Sequence, residues 1–137
     1  DVNIKDRSGV TPLMWASLKG DLDVVKALLD RGTDINAKDG GGSTALMFAS
    51  QPGHLDVVKA LLDKGADVNV KSARGPTALM YASQAGHLGV VKALLEKGAD
   101  INEKMKDGGT ALSAAREGGY QEIVKLLEEA KANQKAE

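Results

Sequence analysis

The sequence contains no cysteine, which excludes disulfide bridges, thiolate metal sites and cysteine nucleophiles. A chain without cysteine is compatible with a reducing compartment, so we expect a cytoplasmic protein. Aromatic residues are also scarce, since only four of the 137 residues are Trp, Tyr or Phe. A core with so few large rings must be built from Leu, Val, Ile and Ala, packed by many small and similar units.

An excess of charge of one sign is lacking too. Eighteen basic and nineteen acidic side chains give a formal net charge of -1. This balance argues against a nucleic-acid-binding protein, whose usual footprint is a strong basic excess. No apolar run approaches the roughly 18 residues of a membrane span, so we expect no membrane partner. The sequence opens Asp1-Val2-Asn3, without a methionine or signal peptide, which we interpret as a cut inside a longer protein.

Glycine is abundant, and eleven of the sixteen glycines are periodic. Several sets of identical residues recur at a step of 33 residues. These sets are Gly9, Gly42, Gly75 and Gly108; Gly20, Gly53, Gly86 and Gly119; Thr11, Thr44, Thr77 and Thr110; and Leu13, Leu46, Leu79 and Leu112. Such self-similarity is the signature of a repeat architecture. The chain is therefore about four copies of one unit, preceded by a short segment that matches the end of a copy.

Each copy predicts two short helices. The first helices are expected near 12–19, 45–51, 78–84 and 111–117, with Thr44 and its equivalents as caps and the glycines at 20, 53, 86 and 119 ending them in a left-handed conformation. The second helices are expected near 22–31, 55–64, 88–97 and 121–131, where residues such as Leu22, Val25 and Leu28 form one apolar stripe. Helices this short are not stable alone, so the copies must stack into a solenoid.

Three segments closely resemble ankyrin repeats: Thr11-Pro12-Leu13-Met14-Trp15-Ala16-Ser17, Gly53-His54-Leu55-Asp56-Val57-Val58-Lys59-Ala60-Leu61-Leu62 and Gly65-Ala66-Asp67-Val68-Asn69. The resemblance extends from residue 1 to about residue 130. It implies an all-α ankyrin-repeat solenoid of stacked helix-turn-helix units, with projecting β-hairpin-like loops and a concave surface formed by loops and first helices. Proteins of this family typically bind other proteins and have no chemistry of their own.

The repeat register divides the single domain, residues 1–137. The end of a preceding repeat is expected at 1–5, repeats at about 6–38, 39–71, 72–104 and 105–131, and a polar C-terminal tail at 132–137. The last second helix should run on and fray in that tail, which would form a solvent-facing cap. The N-terminal side has no comparable polar cap. We therefore expect a monomer, with self-association through the uncapped N-terminal face as the alternative.

The sequence departs from the family pattern at two positions of the repeat. The family usually places His after Thr-Pro-Leu, and this chain has Met14, Met47, Met80 and Ser113 there, which predicts a weaker polar network between repeats. The Asp that usually starts the loop is kept as Asp6 and Asp39 and replaced by Ser72 and Met105. We therefore expect the third and fourth loops to be less tightly pinned.

The clearest candidate binding residues are aromatic. Trp15, Phe48 and Tyr81 share one repeat position, followed by Ala114 in the last copy, and they should form a column on one face. Leu13 and Ala16 face inward, so Trp15 lies off the buried stripe and is a candidate interface anchor. Three residues further on, Leu18, Gln51 and Gln84 would extend the patch. The alternatives are rings that only fill space between helices and loops, and a lone surface leucine.

A second column is basic and lies before the loop tips. It consists of Lys5, Lys38, Lys71 and Lys104, strengthened by Arg7 and Arg74, and would favour an acidic partner through electrostatic steering. The alternative is a solvated edge, because Asp6 and Asp39 adjoin two of these lysines and exposed ion pairs contribute little. A further lysine column, at 26, 59, 92 and 125, is typical of a solvated outer face.

Other polar residues are better explained structurally than chemically. His54 and His87 lie one repeat apart, too far for one metal ion, and are expected to fix the turn between helices. The run Gly40-Gly41-Gly42 lacks the Lys-Ser/Thr and the strand of a phosphate-binding loop. The Asp and Asn columns around Asp34 and Asn36 suit turns rather than catalysis. We therefore expect no catalytic residues, no metal, no cofactor and no enzyme.

Three functional interpretations remain open at this stage. The leading one is a non-catalytic module that binds a protein or peptide partner on the concave face. The second is an engineered or consensus-derived ankyrin scaffold with no natural partner. The third is a regulatory ankyrin fragment of a larger enzyme or effector. The sequence alone names no partner, because ankyrin-like surfaces are reused for unrelated targets.

Overall fold

The structure is a computed structural model that describes residues 1–136. It contains four helix pairs and no strand among these residues, which confirms the all-α prediction. In chain order the helices are α1 (Pro12–Lys19), α2 (Leu22–Asp30), α3 (Ala45–Ser50), α4 (Leu55–Asp63), α5 (Ala78–Ala85), α6 (Leu88–Glu96), α7 (Ala111–Gly118) and α8 (Gln121–Ala136). The last helix runs through the segment that the sequence assigned to a tail, as far as Ala136, and Glu137 lies outside the described residues.

A threonine begins each first helix, and three of the four threonines cap it. The hydroxyls of Thr11, Thr77 and Thr110 accept the N–H of the residue three positions on, at 3.3, 3.3 and 3.1 Å. Such a bond satisfies one of the unpaired N–H groups at a helix start. Thr44 stands at the same position but makes no capping bond, and its buried hydroxyl has no partner. The cap predicted for Thr44 is therefore wrong.

The first helices end as predicted except in the second repeat. Gly20, Gly86 and Gly119 are left-handed caps with φ of 74, 81 and 73°. In the second repeat α3 already ends at Ser50, because Pro52 follows and has no N–H to continue the helix. Gly53 keeps a positive φ of 85° and serves the turn after the helix instead.

The four pairs stack in one direction. Within a repeat the two helices pack together, and between repeats first helices contact first helices and second helices contact second helices. The stripes of Leu, Val and Ala from all four pairs join into one continuous core. Most of the stability must come from these junctions, because each repeat contacts only its neighbours.

The stack is tighter on the side of the first helices. Between neighbouring second helices lie open grooves of about 240 Å³ (α2 and α4) and about 420 Å³ (α6 and α8). On the side of the first helices, a cavity of about 40 Å³ lies beside Phe48 and Tyr81. Neighbouring first helices also approach one another more closely than neighbouring second helices do at the first and last junctions. This spacing agrees with the concave side that the resemblance implied for the first helices.

Asparagines tie each repeat to the next. The side-chain oxygens of Asn3, Asn36 and Asn69 accept the backbone N–H of Asp34, Asp67 and Asp100, each at 2.8 Å. Each of these aspartates turns its own carboxylate to the N–H two residues on, at 2.9–3.1 Å. The predicted turn role of the Asp column is thus confirmed, and the Asn column also connects repeats, which the sequence did not predict.

Candidate partner-binding surface

Helix α1 presents two different faces. Leu13 and Ala16 are buried in the core, whereas Trp15 is 48% exposed and Leu18 is 38% exposed. Trp15 and Leu18 are three residues apart, so their side chains are neighbours on one face of the helix. The structure therefore gives α1 an apolar pair directed away from the core, as the sequence predicted. Large apolar side chains at the surface are informative when they are adjacent.

The aromatic column continues from α1 along the concave side. Phe48 and Tyr81 are half-buried, and both line one small cavity with Met47 and Gln51. They are packed more deeply than Trp15 and remain partly exposed. Beside them Gln51 and Gln84 are exposed. The surface formed by Trp15, Phe48, Tyr81, Leu18, Gln51 and Gln84 is called the aromatic surface below.

The first loop is closed by the side chain of Asp6. The Asp6 carboxylate accepts the N–H groups of Ser8 and Val10, both at 2.9 Å. The bond from Val10 is the main reason why the pKa of the Asp6 carboxyl lies below its ordinary value of 3.8. Partial desolvation acts in the opposite direction, and Ser8 and the Trp15 side chain add further lowering.

All four loops share one backbone turn. Asp6, Asp39, Ser72 and Met105 each donate their N–H to the carbonyl four residues on, at 2.8–3.0 Å. The side-chain bonds differ: Asp39 accepts the N–H groups of Gly41 and Ser43 in the same way as Asp6, but Ser72 and Met105 do not. Substitution of the usual Asp therefore removes side-chain bonds from the third and fourth loops while the turn itself is kept.

The loop cations all lie at the surface. Lys5, Lys38, Lys71, Lys104, Arg7 and Arg74 are exposed. Two of them have partners, since Lys71 pairs with Glu103 at 3.1 Å and Lys5 donates to the Lys38 carbonyl at 3.3 Å. Sequence reasoning missed Lys106, an exposed cation in the fourth loop. It shares a repeat position with Arg7, and this correspondence could have identified it.

The loops are more basic than the rest of the chain. Residues 4–8, 37–41, 70–74 and 103–107 carry seven of the eighteen basic and four of the nineteen acidic side chains. Three of these acids, Asp6, Asp39 and Asp107, accept backbone N–H groups within their loops, and Glu103 is paired with Lys71. The near-neutral sequence thus separates into a basic loop edge and a more acidic remainder.

The two histidines connect repeats. The Nε2 of His54 lies 3.0 Å from the Leu18 carbonyl, and the Nε2 of His87 lies 3.0 Å from the Gln51 carbonyl. Each ring sits over the glycine that follows the previous first helix, Gly20 or Gly53. The predicted role in fixing the turn is therefore confirmed, although the turn belongs to the preceding repeat. The backbone carbonyls of Leu18 and Gln51, two residues of the aromatic surface, are thus hydrogen-bonded to the next repeat.

The residues weighed for other chemistry have structural roles. The N–H groups of Gly40, Gly41 and Gly42 bond to Ser8 and Asp39 of the chain itself, so they do not form a free phosphate cradle. Within residues 1–136, no group of three or more His, Cys, Asp or Glu side chains is close enough to bind a metal ion. Over the same residues, no helix combines the length and the apolar character that crossing a membrane requires.

The comparisons with known proteins agree with this architecture. No curated protein matches the chain. A family model described as ankyrin repeats (3 copies) matches residues 1–72 and again residues 69–136. The two matches together span the four helix pairs, the cross-repeat asparagines and the concave aromatic surface. The chain belongs to the ankyrin repeat family, whose members are generally protein–protein interaction modules.

Proposed function

We propose that this protein is a non-catalytic module whose concave side binds a protein or peptide partner. The observation that carries the proposal is the exposed apolar pair of Trp15 and Leu18 on a helix whose other apolar residues are buried. Trp is enriched among the residues that dominate binding energy at interfaces. The two side chains lie on a rigid helix, so a partner can cover them with little loss of conformational freedom.

Phe48 and Tyr81 extend the apolar surface of Trp15 and Leu18 along the neighbouring first helices into one strip. Because they are half-buried and packed, they supply a fixed apolar floor beside the more accessible Trp15. Gln51 and Gln84 border the floor with groups that donate and accept hydrogen bonds. A partner segment that lies along the strip therefore meets apolar contacts first and polar contacts at their edge, the usual arrangement of an interface core and rim.

The basic loop edge favours an acidic partner. The four loop segments carry seven basic and four acidic side chains, so an approaching segment meets a net positive charge there. Charges at the rim of an interface act mainly on the rate of association and on its salt dependence. The partner we propose has an apolar anchor for Trp15 and acidic residues that lie beside the loops.

A displayed library of random peptides tests the proposal. We expect selection on the immobilised chain to enrich acidic peptides that contain a large apolar residue. Trp15→Ala combined with Leu18→Ala should abolish their binding, and the two side chains are exposed enough for the fold to survive. Because Trp15 is the only tryptophan, its fluorescence should shift when a selected peptide binds, which reports contact at the proposed surface directly.

The control for charge is a matched pair of double variants. Lys38→Ala with Arg74→Ala removes two loop cations, whereas Lys59→Ala with Lys92→Ala removes two cations from the second helices. Only the loop variant should slow association and weaken its salt dependence. Selected peptides that bind the Trp15/Leu18 variant as well as the unmodified chain would contradict the proposal. A chain from which no peptide is enriched would instead support the scaffold interpretation.

A further inference from the structure

A small cavity lies within the aromatic surface, between the first helices of the second and third repeats. It has a volume of about 40 Å³ and is lined by Ser43, Met47, Phe48, Gln51 and Tyr81. Gln51 is exposed, so the cavity lies at the surface and not inside the core. A water molecule takes roughly 30 Å³ in the liquid, so the cavity has room for one small group and none for an aromatic ring.

Two residues of the second repeat are smaller than their equivalents in the first. Ser43 shares a repeat position with Val10, and Phe48 shares one with Trp15. The second repeat thus has a short polar side chain and a smaller ring where the first repeat has two larger apolar groups. This difference accounts for space beside α3 and gives the cavity a cause in the sequence.

Hydrogen bonds hold the walls of the cavity in place. The Ser43 N–H donates to the Asp39 carboxylate and the Ser43 carbonyl accepts the Asp39 N–H, both at 2.9 Å. On the other side the Gln51 carbonyl lies 3.0 Å from the Nε2 of His87. Met47 is 3% exposed and belongs to the core. A partner therefore meets a cavity that is already formed, and its binding costs little reorganisation.

The lining combines apolar walls with two short polar groups. Met47, Phe48 and Tyr81 supply a thioether chain and two rings, whereas the Ser43 hydroxyl and the Gln51 amide can donate and accept hydrogen bonds. Binding sites commonly join apolar walls to a few polar groups that fix the orientation of the ligand. This lining suits an aliphatic group that is carried on a polar peptide backbone.

We propose that the cavity binds one small aliphatic side chain, such as alanine or valine, of the peptide or protein partner. The proposal rests on the proposed function, because the side chain must belong to a segment that lies along the aromatic surface. Neighbouring first helices are roughly 8–10 Å apart and the cavity lies between the second and the third, so it is about 12–15 Å from Trp15. An extended segment advances about 3.3 Å per residue, so the small residue should be about four positions from the large apolar residue that contacts Trp15.

The methyl signals of methionine test the cavity by NMR. The chain has four methionines, and among them Met47 lines the cavity. We expect the Met47 methyl signal to shift most when a peptide enriched from the random library binds. The residue about four positions from the large apolar residue of that peptide is then varied through Gly, Ala, Val and Phe. Binding should be strongest with Ala or Val, and roughly tenfold weaker with Phe.

Two substitutions at Ser43 separate filling of the cavity from loss of the hydroxyl. Ser43→Val introduces the residue that the first repeat has at this position, so circular dichroism should show an intact fold. It fills the cavity, and the preference for Ala or Val over Gly should disappear. Ser43→Ala removes the hydroxyl without filling the space and should keep that preference.

The outcomes distinguish this proposal from the proposed function. Peptides that shift the Trp15 fluorescence but leave the Met47 signal unmoved would overturn the cavity proposal alone. The same holds for peptides that bind equally well with Gly, Ala, Val and Phe, and for a preference that Ser43→Val leaves unchanged. Such results would mean that the cavity is only a gap in the packing. A library from which no peptide is enriched would overturn both proposals.

Discussion

Leu61→Ala is expected to destabilise the protein far more than Leu28→Ala, although the two leucines occupy the same repeat position. Leu61 is fully buried in α4, whereas Leu28 in α2 is only partly covered. Truncating a fully buried leucine removes its burial energy and leaves a cavity, at a cost of about 3 kcal/mol. A half-covered leucine loses less burial and leaves no closed cavity, so we expect about 1 kcal/mol there.

The position of Leu61 in the stack increases the contrast. Each repeat is stabilised by its neighbours, so a weak second repeat also loosens the first repeat from the third and fourth. For a chain of this length, about 3 kcal/mol corresponds to a melting temperature lower by roughly 10 °C. The Leu28 variant should lose only about a third of that.

Urea unfolding followed by circular dichroism at 222 nm measures both losses. Lys59→Ala, an exposed change in the same helix as Leu61, is the control and should be nearly silent. Fluorescence of Trp15 in α1 adds a local probe, which should coincide with circular dichroism if unfolding is two-state. Equal losses for Leu28→Ala and Leu61→Ala would refute the reasoning, because they would mean that the first repeat is covered as well as the second.

Three further predictions concern polar groups. His87→Ala removes the cross-repeat bond and the ring over Gly53, so urea unfolding should show a loss of about 1–2 kcal/mol. Ser83→Ala removes a buried hydroxyl that has no partner and should stabilise the protein by up to about 1 kcal/mol. Ser50→Ala breaks the 2.7 Å bond to the Leu46 carbonyl and should not stabilise the protein. Equal effects of the two substitutions in calorimetry would contradict this prediction. The lowered pKa of Asp6 means that its carboxylate stabilises the first loop above pH 3.8 and that this contribution is lost as the pH falls through the lowered pKa. Asp6→Asn should therefore flatten the acid limb of the stability profile, and an unchanged limb would show that the loop does not depend on this carboxylate.

Sequence periodicity was sufficient to predict the helix pairs, because all four units share the apolar positions of Val25 and Leu28 and the glycine that follows the first helix. Periodicity did not predict the local exceptions in single repeats. Pro52 shortens α3 because its ring nitrogen carries no hydrogen. Thr44 makes no capping bond, although it occupies the same position before its helix as the three threonines that do. A consensus averages over such differences, so a deviation in one copy must be examined for its own chemistry.

The candidate site was predictable to a similar degree. The spacing of Leu13, Trp15 and Ala16 was enough to place the indole off the buried stripe. The extent to which Phe48 and Tyr81 are buried could not be predicted from spacing, because it depends on how closely α3 and α5 approach one another. The pairing of Lys71 with Glu103 was not predicted, since Glu103 interrupts a column of apolar residues and has no equivalent in the other copies.

The polar residues of the last repeat also limit how the gene can gain or lose units. Unequal recombination between similar repeats copies or deletes whole units of the encoded array. A second copy of the last unit would enclose the equivalents of Arg116 and Glu128, whose side chains are 3.8 Å apart and more than half exposed, and removing each of these charges from water costs several kcal/mol. Duplication of the second or third unit creates only junctions of a type already present. One more copy of a middle unit should therefore be tolerated in the stack, whereas one more copy of the fourth unit should destabilise it.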